Sequence, residues 1–112
     1  MPHAGEMAAR IGQLDPLQSL KGVGVWTTNT FNTIFTCPQL INGLYLVVCG
    51  VKSAAPVTYS ASAIISVDDN VLRQTNLQTA TLTTIQISGQ NIQALQNTGG
   101  ATPLYWTVLR LS

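Results

Sequence analysis

The chain has 112 residues and a formal net charge of +1, and 8% of its residues are charged, against about 25% in an average soluble protein. This length supports one domain with a single core, and the near-neutral balance gives no electrostatic reason to bind nucleic acid or an anionic membrane. A lone monomer with so few charges would have poor colloidal stability. We therefore expect copies of the chain or another protein to cover much of its surface.

Residues 1–23 are expected to form an N-terminal arm. Residues 8–14 could form one or two helical turns that end near Asp15, because Pro16 disfavours helix in the residue before it. The sequence Gly22-Val23-Gly24 predicts a flexible hinge after the arm. We assign docking on a partner to the apolar side chains of the arm. These are Met7, Ile11, Leu14, Leu17 and Leu20.

The charges of the arm also bear on targeting. Glu6, Arg10, Asp15 and Lys21 interrupt the first 22 residues, so no apolar core of a signal peptide forms there. No apolar run approaches the roughly 18 residues of a membrane span. We expect a protein that is made in a cytosol and is not exported by a cleaved signal.

Residues 24–112 predict an all-β domain, an antiparallel β-sandwich of jelly-roll-like type with about seven or eight short strands. Residues 25–36 are rich in β-branched and aromatic residues and should form one strand, or two that are broken near residues 29–32. The dipeptide Asn42-Gly43 predicts a β-hairpin between residues 35–41 and 44–51.

In the second half of the chain, apolar and polar residues alternate more clearly. Residues 57–67 place Val57, Tyr59, Ala61, Ala63, Ile65 and Val67 on one face and mostly Ser and Thr on the other. A turn at residues 68–70 precedes a short strand at 71–73 and a connection at 74–80. Residues 81–88 form a strand in which Leu82 is out of phase with Ile85 and Ile87, which suggests a bulge or burial on both faces. Turns at 89–90 and 97–100 precede a last strand at 104–111.

The two cysteines are expected to be buried free thiols. With a two-residue loop at Asn42-Gly43, Cys37 and Cys49 lie one step out of register and point to opposite faces, which makes a disulfide awkward. A longer loop would shift the register, and a disulfide between the two cysteines would again be possible.

No catalytic or metal-binding constellation is found in the sequence. Asp68-Asp69-Asn70 offers two adjacent carboxylates without a spaced third ligand, so we interpret it as a turn rather than a calcium loop. His3 has no nucleophile with an orienting acid, and two cysteines with one histidine do not make a zinc site. We expect no enzyme activity, no cofactor and no metal.

The aromatic residues allow two interpretations. They could form a stacking platform for sugars, or they could be core and subunit contacts. Tyr105 and Trp106 are opposite in phase, so at least one of them faces out of its own sheet. We favour a subunit interface over a glycan site, and we assign it to Tyr45, Tyr105 and Trp106.

Three segments together resemble a group of small virion proteins. They are the P-x(4)-G-x-Y-x-V pattern within residues 35–47, the segment 85–100 with its Asn-Thr-Gly-Gly turn, and the closing residues 105–111. The combination is similar to the head domain of tailed-bacteriophage fibres and to capsid decoration (cement) proteins. It is also loosely similar to the trimeric jelly rolls of the C1q and tumour-necrosis-factor type.

The resemblance implies a homotrimeric structural protein of a bacteriophage virion, assembled in the cytoplasm of the bacterial host. Fibre proteins usually carry a long shaft before the head, whereas about two dozen residues precede the domain here. This departure favours a decoration protein on the capsid surface, bound to the major capsid protein and stabilising the shell. The alternative is a tail- or head-fibre tip domain that binds a host receptor or surface glycan.

Overall fold

A computed structural model describes residues 15–36, 42–52, 58–69, 71–79 and 82–112. The described ranges contain eight strands and no helix. The strands are β1 (Ser19–Trp26), β2 (Asn32–Thr36), β3 (Gly43–Val51), β4 (Thr58–Asp68), β5 (Val71–Gln78), β6 (Thr83–Ser88), β7 (Asn91–Gln96) and β8 (Thr102–Arg110). The helical turns predicted for the arm, His3, Cys37 and the docking residues Met7, Ile11 and Leu14 lie outside these ranges.

The strands form two antiparallel sheets, which confirms the predicted β-sandwich. One sheet has five strands in the order β1-β8-β3-β4-β5, and the other has three strands in the order β2-β7-β6. β3, β4 and β5 are successive neighbours, whereas β8 lies between β1 and β3. The first strand, β1, therefore pairs with the last strand, β8.

The core lies between the sheets and is built by alternation along the strands. In β3 the residues Tyr45, Val47 and Cys49 are buried, and in β8 the residues Leu104, Trp106 and Val108 are buried. Ile92 and Ala94 of β7 face them from the other sheet and are also buried. This alternation is the period-2 burial expected of a sheet with one face in a core.

β1 begins at Ser19, so the sheet extends into the range predicted for the arm. Before it, Leu17 adopts a positive φ of 69°, and its N–H donates to the carbonyl of Arg110 at 2.6 Å. The predicted hinge at Gly22-Val23-Gly24 is wrong, because these residues pair with β8 throughout. A Cβ on Gly22 would collide with the indole of Trp106, so glycine here makes room for a core tryptophan.

The predicted hairpin at Asn42-Gly43 is also wrong. β3 pairs with β4 on one side and β8 on the other, while β2 pairs with β7 in the second sheet. Asn42 contacts a different segment, since its Oδ1 accepts a hydrogen bond from the N–H of Asp69 at 3.0 Å. Because β3 pairs with β4 on one edge and β8 on the other, neither edge is free to pair with the residues just before Asn42.

β4 confirms the predicted alternation over Ala61–Val67, where Ala61, Ala63, Ile65 and Val67 are buried. Tyr59 was predicted to share that face, but 47% of it is exposed. The register shifts between Cys49 and Gly50, where Ser60 is the extra residue. A β-bulge reverses the phase of the residues that precede it.

β5 runs to Gln78, well beyond the short strand predicted at 71–73. Its second half is polar apart from the exposed Leu77, and the strand is held by pairing with β4 and by a side-chain contact with β6. The Nε2 of Gln74 donates to the carbonyl of Ile85 at 2.9 Å. The sequence pattern does not predict the full length of β5, because a run of polar residues on an edge strand resembles a loop.

Candidate interaction surface

The sequence-predicted interface residues fall on opposite sides of the five-stranded sheet. Tyr45 and Trp106 lie in the core with 2% and 1% of their surface exposed. Tyr105 is half-buried and lies on the other side of β8, as expected from its phase. Of the arm residues within the described ranges, Leu17 is 74% exposed and Leu20 packs against the core.

Tyr105 belongs to a largely apolar surface on the outside of the five-stranded sheet. Leu109, Leu46 and Ile64 are paired in one row across β8, β3 and β4. In the next row Val48 pairs with Thr107 on one side and Ser62 on the other, so this row is mostly polar. Beyond it, Val23 of β1 pairs with Tyr105. We call this surface the apolar face. Its residues are Val23, Leu46, Val48, Ile64, Tyr105 and Leu109.

The apolar face has a neutral centre and positive edges. β3 contains no charged residue, and Arg110, the charged residue of β8, has the inward phase of Trp106 and Val108. At the end of β4, the exposed Asp68 has the outward phase of Ile64. Lys21 lies on the edge strand β1 and Arg73 on the opposite edge strand β5, and both are exposed. A surface of this composition favours contact with another apolar protein surface over contact with a charged ligand.

The outer side of the three-stranded sheet has a different character. Thr33, Gln93 and Gln86 are paired in one row across β2, β7 and β6. The amide of Gln86 donates to Oε1 of Gln93 at 2.7 Å, and the amide of Gln93 donates to Oγ1 of Thr33 at 3.4 Å. No charged residue occurs between positions 82 and 109 or between 22 and 51. This surface, which we call the amide face, is neutral and mainly polar, with the half-buried Leu95 as an apolar member.

A buried amide organises one end of the sandwich. Gln96 is fully buried, and its Nε2 donates to the carbonyls of Trp26 and Gly100, each at 2.7 Å. Its Oε1 accepts from the N–H of Thr98 at 2.8 Å and from the hydroxyl of Thr98 at 2.7 Å. The side chain therefore ties the end of β1 to the turn after β7, and sequence reasoning did not single it out.

A small cleft lies between β4, β5 and β6. Its volume is about 30 Å³, and Asn76, Gln78, Thr79 and Thr84 contribute to its walls. A space of this size holds one or two water molecules. It is too small for a sugar ring, so we assign no ligand to it.

Cys49 is a free, buried thiol, as predicted. Burial raises the pKa of this thiol to about 12, because the charged thiolate would lose its hydration. Within the described ranges no three His, Cys, Asp or Glu side chains come together as metal ligands. No helix in those ranges is long and apolar enough to cross a membrane.

Comparison with known proteins finds similar folds in two solved structures. No family model and no curated protein matches the chain. The structure is similar to the tailspike protein gp49 of Acinetobacter baumannii bacteriophage Fri1, a capsular polysaccharide depolymerase, with a TM-score of 0.54 and 10% identity over 93% of this chain. It is also similar to the tailspike protein of Acinetobacter phage vB_ApiP_P1, with a TM-score of 0.55 and 12% identity over 82% of this chain.

These similarities concern the fold. The chain spans 21% of the length of each tailspike chain, so it corresponds in size to one domain of such a protein. At 10% and 12% identity, no functional residue can be transferred from either tailspike to this sequence.

Proposed function

We propose that this chain is a structural domain of a bacteriophage virion, which self-associates and contributes to attachment at the host surface. The observation that carries this proposal is the fold, since nearly the whole chain superposes on one fifth of a tailspike chain. The resemblance of residues 35–47, 85–100 and 105–111 to fibre heads points in the same direction. The proposal favours a fibre or tailspike location over the capsid surface.

The two outer surfaces suit the two parts of this function. The apolar face is suited to contacts between subunits, and a homotrimer is the assembly we propose. The amide face presents amide and hydroxyl groups without charge, which is the chemistry that hydrogen-bonds the hydroxyls of a neutral glycan. Tyr59, 47% exposed, lies in the row of Tyr105 on the five-stranded sheet and therefore belongs to the other outer surface.

We propose no catalytic activity for this chain. The depolymerase activity belongs to the Fri1 tailspike, whose chain is several times longer. The described carboxylates are Asp15, Asp68 and Asp69, of which Asp68 and Asp69 are adjacent in sequence and close β4. Adjacent carboxylates at an exposed turn do not offer the facing pair on which glycoside hydrolysis depends.

Capsid decoration remains a prediction from the sequence. The location of the protein on the virion distinguishes this function from the fibre function. Gold-labelled antibodies against the full chain should mark the tail or its fibres in electron micrographs of the virion. Labels spread over the capsid shell would overturn the fibre assignment and favour decoration. In that case, particles lacking the protein should also lose resistance to heat and osmotic shock.

Host attachment is tested separately. The fluorescently labelled full chain should bind bacterial host cells, and enzymatic removal of their surface polysaccharide should abolish the signal. Equal binding to treated and untreated cells would rule out the glycan. The assembled form should be used, because several weak sites on one assembly bind through effective concentration.

A further inference from the structure

Tyr59, Gly50 and Tyr105 are paired in one row across β4, β3 and β8, on the outer side of the five-stranded sheet. We call them the tyrosine row, and we infer that this row, together with Lys21 and Lys52, binds an acidic saccharide, that is, a sugar chain containing hexuronates. The inference rests on the proposed host attachment. It deepens that function by placing a second contact away from the amide face and by specifying the charge of the sugar.

A β-bulge brings Tyr59 to this side of the sheet. Ser60 is the extra residue of the bulge, and Ala61 beyond it is buried. In a regular strand Tyr59 would share the side of Ala61 and point into the core. Instead, 47% of Tyr59 is exposed on the side of Tyr105. Bulges that redirect a side chain in this way are frequent next to functional sites.

The two tyrosines are close enough for one ligand to contact both. Because each of them pairs with Gly50, their Cα atoms are two strand spacings apart, which is roughly 10 Å. Gly50 has no side chain, so it places no third side chain between the two rings. A short oligosaccharide can therefore lie along both rings at once.

The tyrosine row is separate from the leucines and the isoleucine of the apolar face. The mostly polar row of Thr107, Val48 and Ser62 lies between them. The tyrosine row therefore lies outside the neutral apolar centre of the sheet, and a different kind of ligand suits it.

Two lysines flank the tyrosine row. Lys52 lies two residues beyond Gly50 in sequence, and Lys21 lies two residues before Val23, which pairs with Tyr105. Both lysines are exposed. Diagonal neighbours of this kind on adjacent strands have Cα atoms about 7–8 Å apart, which is within reach of a long side chain. A ligand on the rings can therefore meet an ammonium group on either side.

The described carboxylates lie at the other end of the sheet. Asp68 is at the opposite end of β4 from Tyr59, about 30 Å away, and Asp69 follows it. Asp15 belongs to the turn before β1, where the carbonyl of Gln18 accepts from the N–H of Arg110 at 3.0 Å. The tyrosine row thus combines two cations with no described carboxylate, which favours an anionic ligand.

The rings favour a saccharide over an acidic peptide. One face of a pyranose ring presents C–H groups, which suit the negative face of an aromatic ring, while its rim presents hydroxyls. The carboxylate of a hexuronate adds a charged acceptor for a lysine ammonium group. A glutamate side chain offers the same carboxylate without the flat C–H face, so it would gain from the lysines but little from the tyrosines.

The test titrates the full chain with tetragalacturonate as the acidic probe and maltotetraose as the neutral control. The chain has three tyrosines, so labelling their rings with ¹³C gives a simple NMR spectrum. The signals of Tyr59 and Tyr105 should shift with the acidic probe. Tyr45, with 2% of its surface exposed, is the internal reference and should not shift.

Four variants locate the contact. Tyr59→Ser should raise the dissociation constant of tetragalacturonate by about threefold or more. Its control is Val71→Ser, at a residue 52% exposed at the other end of the sheet. Lys52→Gln should raise the constant by about two- to fivefold. Arg73→Gln makes the same change of net charge at an exposed cation near Asp68 and should change it by less than about 1.5-fold.

Several results would overturn the inference. They are tyrosine signals that do not respond to tetragalacturonate, equal affinity for maltotetraose, and a folded Tyr59→Ser variant that binds as tightly as the unmodified chain. Equal weakening by Lys52→Gln and Arg73→Gln would show unspecific charge attraction and would also overturn it. A tetraglutamate peptide that binds as well as tetragalacturonate would mean that carboxylates, and not a sugar, are recognised.

The outcomes also separate this inference from the proposed function. Failure of the tyrosine row leaves the virion assignment and the amide face untouched. If the labelled chain does not bind host cells but the tyrosine signals respond to tetragalacturonate as expected, the host attachment fails and the saccharide site stands.

Discussion

At the scale of single residues, Gln96 shows how a buried polar group can be fully satisfied. A glutamine amide has two donor hydrogens and two acceptor positions. All four are used, by the carbonyls of Trp26 and Gly100 and by the N–H and hydroxyl of Thr98. The carbonyl partners also fix the orientation of the amide, because a flipped group would place its oxygen against two other oxygens.

We predict that Gln96→Leu lowers the free energy of unfolding by about 1–3 kcal/mol. The substitution keeps a similar volume but leaves the carbonyl of Trp26 and the N–H of Thr98 without their side-chain partner. Urea denaturation followed by tryptophan fluorescence measures the loss. The matched control is Gln78→Leu at an exposed position, which should change stability by less than about 0.5 kcal/mol. Equal effects of the two substitutions would show that the Gln96 network contributes little.

Cys49 gives a prediction about alkaline pH. The thiol has a pKa of about 12 in the folded protein and 9.0 as its ordinary value. Above pH 9 the unfolded chain therefore releases a proton that the folded chain retains, so stability is intact below pH 9 and falls as pH rises toward 12. The slope approaches about 1.4 kcal/mol per pH unit.

The measurement compares the unmodified chain with Cys49→Ala by urea denaturation at pH 8 and pH 10.5. Tyrosine and lysine side chains also titrate near the upper value, and the variant retains all of them. The gap between the two chains should shrink by about 2 kcal/mol between these pH values. A gap that is independent of pH would mean that Cys49 is accessible enough to ionise in the folded protein.

At the scale of elements, β1 depends on glycine for its position. Gly22 lies beside Trp106 in the register of β1 and β8, and the indole occupies the space that a Cβ at Gly22 would require. Leu20 and Trp26 point to the same side of β1 and pack against the core. The edge strand β1 therefore covers Trp106 of the neighbouring strand β8.

We predict that Gly22→Ala destabilises the protein by about 1–3 kcal/mol, because the new methyl group forces the Trp106 indole or the β1 backbone to move. The shift should be accompanied by a change in the tryptophan emission of the folded state. Gly100→Ala is the control, since a Cβ there meets nothing within 4 Å. If both variants melt at the same temperature, β1 tolerates the displacement and the close packing is not needed for stability.

The elements also show what could be predicted from the sequence. The alternation of Ala61, Ala63, Ile65 and Val67 fixed the inner face of β4, and the opposite phases of Tyr105 and Trp106 were read correctly. Periodicity does not show which of two apolar faces of a strand lies in the core. The buried position of Trp106 depends on its pairing with Gly22 of β1, which is a contact between residues far apart in sequence. The hairpin at Asn42-Gly43 failed because pairing of β3 with β4 and β8 is decided by residues far apart in sequence.

At the scale of the whole molecule, the two outer surfaces differ in the forces they can use. The apolar face gains free energy by removing carbon atoms from water, at about 25 cal/mol per Å² before the costs of association. The amide face offers hydrogen bonds that water already satisfies. The sequence indicated that the surface must be covered, through its 8% of charged residues. It could not show which apolar residues share one side of one sheet, because that depends on the order of the strands.

The confinement of charge to the edges of the apolar face leads to a prediction about salt. Raising sodium chloride from 0.05 M to 0.5 M shortens the Debye length to about 4 Å and screens most of the interaction between exposed charges. Since Lys21 and Arg73 lie at the rim, the dissociation constant of the oligomer should change by less than about threefold. Ammonium sulfate at the same ionic strength should tighten association, because sulfate strengthens the burial of apolar surface. Light scattering at fixed protein concentration measures both effects. A change of threefold or more in either direction would mean that charged groups, in addition to the leucines and isoleucine, contribute to the contact between copies.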